Sequence, residues 1–249
     1  MVLLSDSSLW RLILVFLVLA LGMGYSIRAG KLTAPAAWVG GLVGLSSYLG
    51  TGFTGLALLA LFFGLGTAAS AWKVAEKRRL GLAEANKGRR TAGQVLANGG
   101  VAGLLGLLGW GQPAHAALCQ LMLAGSLAAA AADTLSSELG NVYGRRYYNI
   151  LTLRPDQRGL DGVISTEGTL LGSMGSALLA AVYCVGGAAW SPAFWVVVLA
   201  GTVGNLSDSL LGATLERRHY VGNNVVNSLN TLIGALVAAG SWWLLQRTG

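Results

Sequence analysis

The chain has 249 residues, of which 54% are apolar and only 11% charged, with 37 glycines and a formal net charge of +7. A soluble domain carries roughly 25% charged residues, so this composition excludes a cytosolic globule, a disordered tail and a cysteine-stapled secreted scaffold. In a membrane chain an excess of Lys and Arg is first a matter of orientation, and no nucleic acid partner is expected.

A hydrocarbon core of about 30 Å takes roughly 20 mostly apolar residues per helix. In chain order the expected spans are Leu12 to Ile27, Ala34 to Leu49, Phe53 to Trp72 and Val95 to Trp110. Then follow Ala114 to Ala132, Gly168 to Gly187, Ala193 to Leu206 and Val225 to Leu245. The first reads as a retained helix, since no basic segment precedes it and no small-x-small cleavage site follows. The fourth and seventh are short; each either extends into flanking polar turns or breaks at a glycine. The expectation is an all-α polytopic bundle of about 8 transmembrane helices, a single integral-membrane domain over residues 1–249. Cys119 and Cys184 lie inside spans and read as packing residues.

Fifteen of the 17 Lys and Arg residues fall in alternate connections, and those around residues 50, 112 and 190 have none. This pattern predicts both termini on the non-cytoplasmic side and cytoplasmic loops at about 73–93, 133–167 and 207–224. Nine of the ten acidic residues follow the same set, several at span ends where an unpaired carboxylate is costly. Orientation does not call for them, so the cytoplasmic face reads as a site ringed by short, Gly-rich helices.

The candidate residues come in five groups along the chain. Lys87, Arg89 and Arg90 precede Gln94 and Asn98, one turn apart at the mouth of the fourth span. These cations suit phosphates as a point charge and planar forks, or else lipid headgroups. After span five, Asp133 and Ser137 share one helical face, as do Thr134 and Glu138. Carboxylates with hydroxyls offer hard oxygen ligands for Mg²⁺; the competing reading is a helix end capped by its own side chains. In the loop 154–168, Asp161, Ser165 and Glu167 sit among glycines, as a ligand loop or a plain turn. The end of span seven shares with the end of span five an Asp-(Ser/Thr)-Leu core, here Asp208, Ser209 and Leu210 with Gly212 beyond, and Glu216 followed by two arginines reads as either chemistry or a solvated ion pair. Last comes an asparagine stripe, Asn223, Asn227 and Asn230, too polar to face lipid and suited to a cavity or to helix contacts. Tyr143, Tyr147 and Tyr148 read as an interfacial aromatic anchor, and neither His115 nor His219 is assigned a role.

Four ordered motifs carry a family likeness: Gly93 to Gly100, Asp133 to Gly140, Asp208 to Glu216, and Asn227 to Thr231. They resemble an integral-membrane family first catalogued as a domain of unknown function and related to the transmembrane protein 19 type. The likeness covers residues from about 20 to 245. Loop 154–168 fits it with a difference, since the run Arg154 to Gly162 keeps the Asp161-Gly162 pair but departs from the family's turn before it. The family's characterised plant and cyanobacterial members are phytyl-phosphate kinases, which supply phytyl diphosphate for tocopherol and phylloquinone.

The resemblance implies an enzyme that moves a phosphoryl group from a nucleotide, CTP in preference to ATP, onto phytyl or another prenyl phosphate. It implies Mg²⁺ held by Asp133, Glu138 and Asp208, with Lys87 completing the catalytic set. Arg89, Arg90, Gln94, Asn98, Ser137, Asp161, Glu167, Ser209, Glu216, Asn227 and Asn230 would bind substrate and nucleotide. Membrane lipid would surround the protein in a plasma membrane or an internal photosynthetic membrane, with the site facing the cytoplasm. Two rivals remain. A CDP-alcohol phosphotransferase also needs carboxylates and a metal at the membrane face, but its dense Asp-Gly-x-x-Ala-Arg signature is absent. A transporter would use the same carboxylates as a path through the bilayer.

Overall fold

The computed structural model describes residues 6–82, 88–187 and 190–248. Lys87, expected to clamp phosphate, lies outside the described residues. The helices are α1 (Asp6–Arg28), α2 (Ala34–Ala71), α3 (Val74–Arg79), α4 (Ala92–Gly111), α5 (Ala116–Tyr143), α6 (Thr166–Val185), α7 (Trp190–Leu211) and α8 (Asn223–Thr248). Among the described residues seven helices are long and apolar enough to cross a membrane. Their outer faces leave Phe16, Leu42, Leu104, Leu170, Trp195 and Leu236 exposed. Water would penalise such a surface and lipid does not, so the chain is an integral membrane protein.

α2 is 38 residues long, about 57 Å if it were straight and roughly twice the thickness of a bilayer core. It is not straight. Gly52 has φ 65° and ψ −152°, a conformation essentially confined to glycine. Beyond it the chain doubles back. A Cβ placed on Gly44 would lie 3.5 Å from Leu59 Cδ2 and 3.6 Å from Leu56 Cδ1, whereas residues 15 apart along one helix are separated by about 22 Å. The spans expected at 34–49 and 53–72 are the two arms of this hairpin. The two short spans both extend: α4 begins at Ala92 under a capping box between Thr91 and Gln94, and α7 runs on to Leu211.

α5 is the centre of the bundle because its residues are small. Ala128 to Ala132 are all buried, and Gly201 of α7 and Gly234 of α8 lie directly against Ala128 and Ala129. Without a hydrophobic drive between helices in lipid, such close backbone approach is what holds them together. α5 has 28 residues, about 42 Å, so it outruns the hydrocarbon core and carries Asp133 onward toward the bundle's end.

The basic connections meet at that end. Leu32 bridges to Arg90, Trp72 Nε1 donates to Tyr143 Oη at 2.8 Å, and a short ribbon pairs β1 (Tyr148–Asn149) with β2 (Val163–Ile164). At the opposite end Gly109 lies against Cys119 and the Gly50 carbonyl, while Thr54 Oγ1 donates to the Gly186 carbonyl at 3.4 Å. Cys119 and Cys184 are both buried, and neither is in a disulfide.

Candidate functional site

At the basic end, α4, α5, α7, the start of α8 and the loop after β1 line a polar cleft of two adjoining chambers. α5 supplies the shared wall: Asp133, Ser137 and Asn141, spaced i, i+4, i+8, line both. The first chamber, about 170 Å³, is acidic; Asp133, Asp161, Asp208 and Glu216 all line it, with Ser209 beside them. Glu216 reaches it because α7 runs into a π-helical turn, Gly212–Glu216, closed by the Arg217 N–H donating to the Gly212 carbonyl at 2.9 Å. Such widened turns recur at functional sites, and here the turn brings a residue eight positions after Asp208 back to the same cavity.

Asp133 and Asp208 face one another within hydrogen-bonding reach. Asn230, fully buried, donates its Nδ2 to Asp208 Oδ1 at 3.5 Å. Among the described residues neither carboxylate is in an ion pair with Lys, Arg or His. Two carboxylates that share a site repel one another, and a cation between them relieves that repulsion.

The second chamber is larger, about 380 Å³, and is lined by Arg90, Gln94, Asn98, Thr134, Glu138 and Asn227 in addition to the shared wall. Its Glu138 already has a counter-charge. Lys77 of α3, only 1% exposed, donates its Nζ to Glu138 Oε2, and also to the carbonyls of Ala69 and Ser70 at 2.9 and 3.0 Å. One ammonium thus satisfies a buried carboxylate and the last carbonyls of α2, and its three donors are all used.

The loop between the β-strands covers the acidic chamber. Gly162 has φ +74°, and a Cβ there would sit 2.5 Å from the Ala213 backbone nitrogen, so this position takes glycine for both conformation and space. Tyr147 Oη reaches the carbonyls of Gly140 and Gly144 at 3.0 and 2.9 Å, and burial, above all, pushes its phenol upward from its ordinary pKa. Tyr147 is therefore a wall of the cleft and not the lipid anchor expected of it; Tyr143, by contrast, holds Trp72. Outside, Arg217 grips Asp156 at 2.7 Å, and that hydrogen bond is the main reason the carboxyl is lowered to about 2.

Among the described residues no three His, Cys, Asp or Glu side chains form a ready metal cage. Mg²⁺ usually takes only one or two carboxylates and completes its shell with water and substrate phosphate. The facing Asp133 and Asp208, without a cationic partner among the described residues and open to a polar cavity, fit that requirement. Glu138 does not join them, because Lys77 already occupies it.

Residues 16–235 match the family described as "Integral membrane protein DUF92". The chain belongs to the DUF92 family. "Protein VTE6, chloroplastic" of Arabidopsis thaliana is 33% identical over 240 residues, covering 94% of this chain and 72% of that protein. The uncharacterized membrane protein sll0875 of Synechocystis sp. is 32% identical over 221 residues, covering 82% of this chain and 79% of that one. A third relative, the uncharacterized membrane protein MJ0933 of Methanocaldococcus jannaschii, is 33% identical over 196 residues, with 75% of each chain covered. No solved structure matches. Every residue lining the two chambers falls inside the DUF92 match.

Within this DUF92 chain, three expected site residues stay out of the cleft walls. Arg89 turns its Nε to the Leu32 carbonyl at 3.1 Å, Glu167 accepts from the Arg145 N–H at 3.4 Å, and Asn230 stands behind Asp208. Gln94 lines the second chamber, but its Oε1 accepts from the Thr91 N–H at 2.8 Å, so part of its role is capping. Sequence reading missed Asn141, Asn205 and Lys77. The i+4 series from Asp133 through Ser137 pointed to Asn141, had the helix been continued past Gly140. Lys77, in a run of cations, carried no such signal.

Proposed function

We propose that this DUF92 protein is a membrane-embedded prenyl-phosphate kinase that converts phytyl phosphate to phytyl diphosphate, its cleft facing the cytoplasm. The observation that carries the reading is the Asp133–Asp208 pair, two facing carboxylates that, among the described residues, have no cationic partner at the head of a polar cleft. The motif likeness to phytyl-phosphate kinases and the kinship with the chloroplast protein of Arabidopsis support the choice of acceptor. The sorting of Lys and Arg supports the cytoplasmic placement, where nucleotides are found.

A prenyl monophosphate is largely ionised at neutral pH, since the second pKa of a phosphate monoester is about 6. The site therefore needs no strong base; positioning and charge neutralisation dominate phosphoryl transfer. An oxygen of the acceptor phosphate attacks the γ-phosphorus of the nucleotide and forms the new P–O–P bond. The bond from that phosphorus to the β–γ bridging oxygen breaks, and its electron pair leaves with the nucleoside diphosphate. Asp133 and Asp208 would hold Mg²⁺, which when bound neutralises charge on the phosphoryl oxygens. Asn230 fixes Asp208, Asp161 and Glu216 add acidic oxygens to the same chamber, and Arg90 at the second chamber pairs with the nucleotide's phosphates. CTP is the favoured donor, with ATP second.

The test is diphosphate formation by purified protein from phytyl, farnesyl and geranylgeranyl phosphates with Mg²⁺ and each nucleoside triphosphate. Turnover is expected with at least one pair, and Asp133→Asn and Asp208→Asn each reduce it by roughly 10²- to 10³-fold while the protein stays folded. Variants as active as the parent would remove these carboxylates from the chemistry.

A further inference from the structure

The wall of the second chamber holds two unmet hydrogen-bond acceptors. Asn98 commits its Nδ2 to the Gln94 carbonyl at 3.0 Å, and Asn227 commits its own to Asn223 Oδ1 at 2.9 Å. The hydroxyls of Thr134 and Ser137 donate to the carbonyls of Ala130 and Thr134 at 2.9 and 3.2 Å. Each amide nitrogen keeps a second N–H, and Gln94 and Arg90 add donors of their own to the wall. Among the described residues, Asn98 Oδ1 and Asn227 Oδ1 are both buried with no hydrogen-bond partner, and Asn227 is only 8% exposed. A buried acceptor left unmet is unfavourable, so these two oxygens call for a ligand that brings donors as well as acceptors.

That requirement sorts the candidate occupants. A phosphate presents only acceptors and gains nothing from these oxygens. A prenyl chain presents neither kind of group and would leave them unmet. A lone ion uses little of about 380 Å³. The sugar and base of a nucleotide carry hydroxyl and amino donors, and a chamber of this size is in the range of small-molecule sites. Arg90, on the same chamber, supplies the cation that the attached phosphates need. Resting on the kinase reading above, we propose that the amide-lined chamber is the nucleoside subsite, with Asn98 and Asn227 accepting hydrogen bonds from the nucleoside. The triphosphate then extends past Arg90 toward Asp133, which lines both chambers.

The experiment compares equilibrium binding of CTP and ATP with that of inorganic tripolyphosphate, all with Mg²⁺, to the full-length protein in detergent. The difference isolates the nucleoside half. The parent should bind a nucleotide at least tenfold tighter than tripolyphosphate, and Asn227→Leu should shrink that preference by about tenfold, the loss of roughly one hydrogen bond. Asn98→Ala, at a half-buried helical position, gives the same readout should leucine at 227 disturb folding. In turnover the nucleotide KM should rise while the prenyl-phosphate KM stays within about twofold. No preference for nucleotide over tripolyphosphate in the parent overturns the inference, as does a preference that survives both variants. A preference that responds to the variants in a protein without kinase turnover keeps the subsite and removes the kinase reading. Kinase turnover whose nucleotide KM ignores both variants does the reverse.

Discussion

The two chambers of the cleft share a wall on α5 yet balance charge in opposite ways. Glu138 has its counter-charge built in, from a lysine three donors deep in protein acceptors. Asp133, five residues earlier on the same helix, faces a second carboxylate. The first arrangement is complete as it stands and holds α2, α3 and α5 together; the second has no cationic partner among the described residues. Burial and charge alike therefore do not separate the two carboxylates, and what separates them is whether a described side chain supplies the partner.

The sharpest way to break this contrast is to remove the partner. Lys77→Met leaves Glu138 buried and unpaired, and should destabilise the protein by about 3–5 kcal/mol, whereas Lys77→Met with Glu138→Met should recover most of that loss. Thermal unfolding of the four species in one detergent measures it, and strictly additive effects would mean the pair carries no coupling. Asp208→Asn should move the other way, with turnover lost and unfolding temperature held or raised, because it relieves carboxylate repulsion.

A smaller effect is expected at the loop that covers the acidic chamber. Gly162→Ala combines a left-handed backbone with a collision against Ala213, so a loss of about 1–3 kcal/mol is expected. The nucleotide and acceptor KM values should rise together as the cover shifts; an unchanged unfolding temperature would show that the loop yields freely. Smallest is the outer clasp. Asp156 is lowered to about 2 by Arg217, against an ordinary value of about 3.9. The folded value being the lower one, this contribution is present above pH of about 4 and fades as pH falls toward 2. Asp156→Asn should therefore unfold slightly more easily than the parent at pH 7, with the gap closing in acid.

The spans were legible in the sequence, because lipid imposes length and polarity rules that a linear chain cannot hide. Asp133, Asp208, Asp161 and Glu216 were singled out from their motifs and line one chamber. The role of Glu138 was not legible, because its partner is 61 positions away and sits in a cluster whose cations serve orientation as well. Glu167 failed for a local reason: at the first turn of α6 it accepts from the Arg145 N–H and does not line the cavity. Sequence spacing also could not show that a π-helical turn would return Glu216 to the face of Asp208.

The single-residue bend at Gly52 bears on how the protein is made. The two arms of α2 have no polar linker between them, and together they are about twice as long as a bilayer is thick. Neither arm can wait in water for the other without exposing apolar surface. The arms are therefore expected to enter lipid together, as a pair packed through Gly44, Leu56 and Leu59. α4 and α5, which follow in the chain, pack against that hairpin.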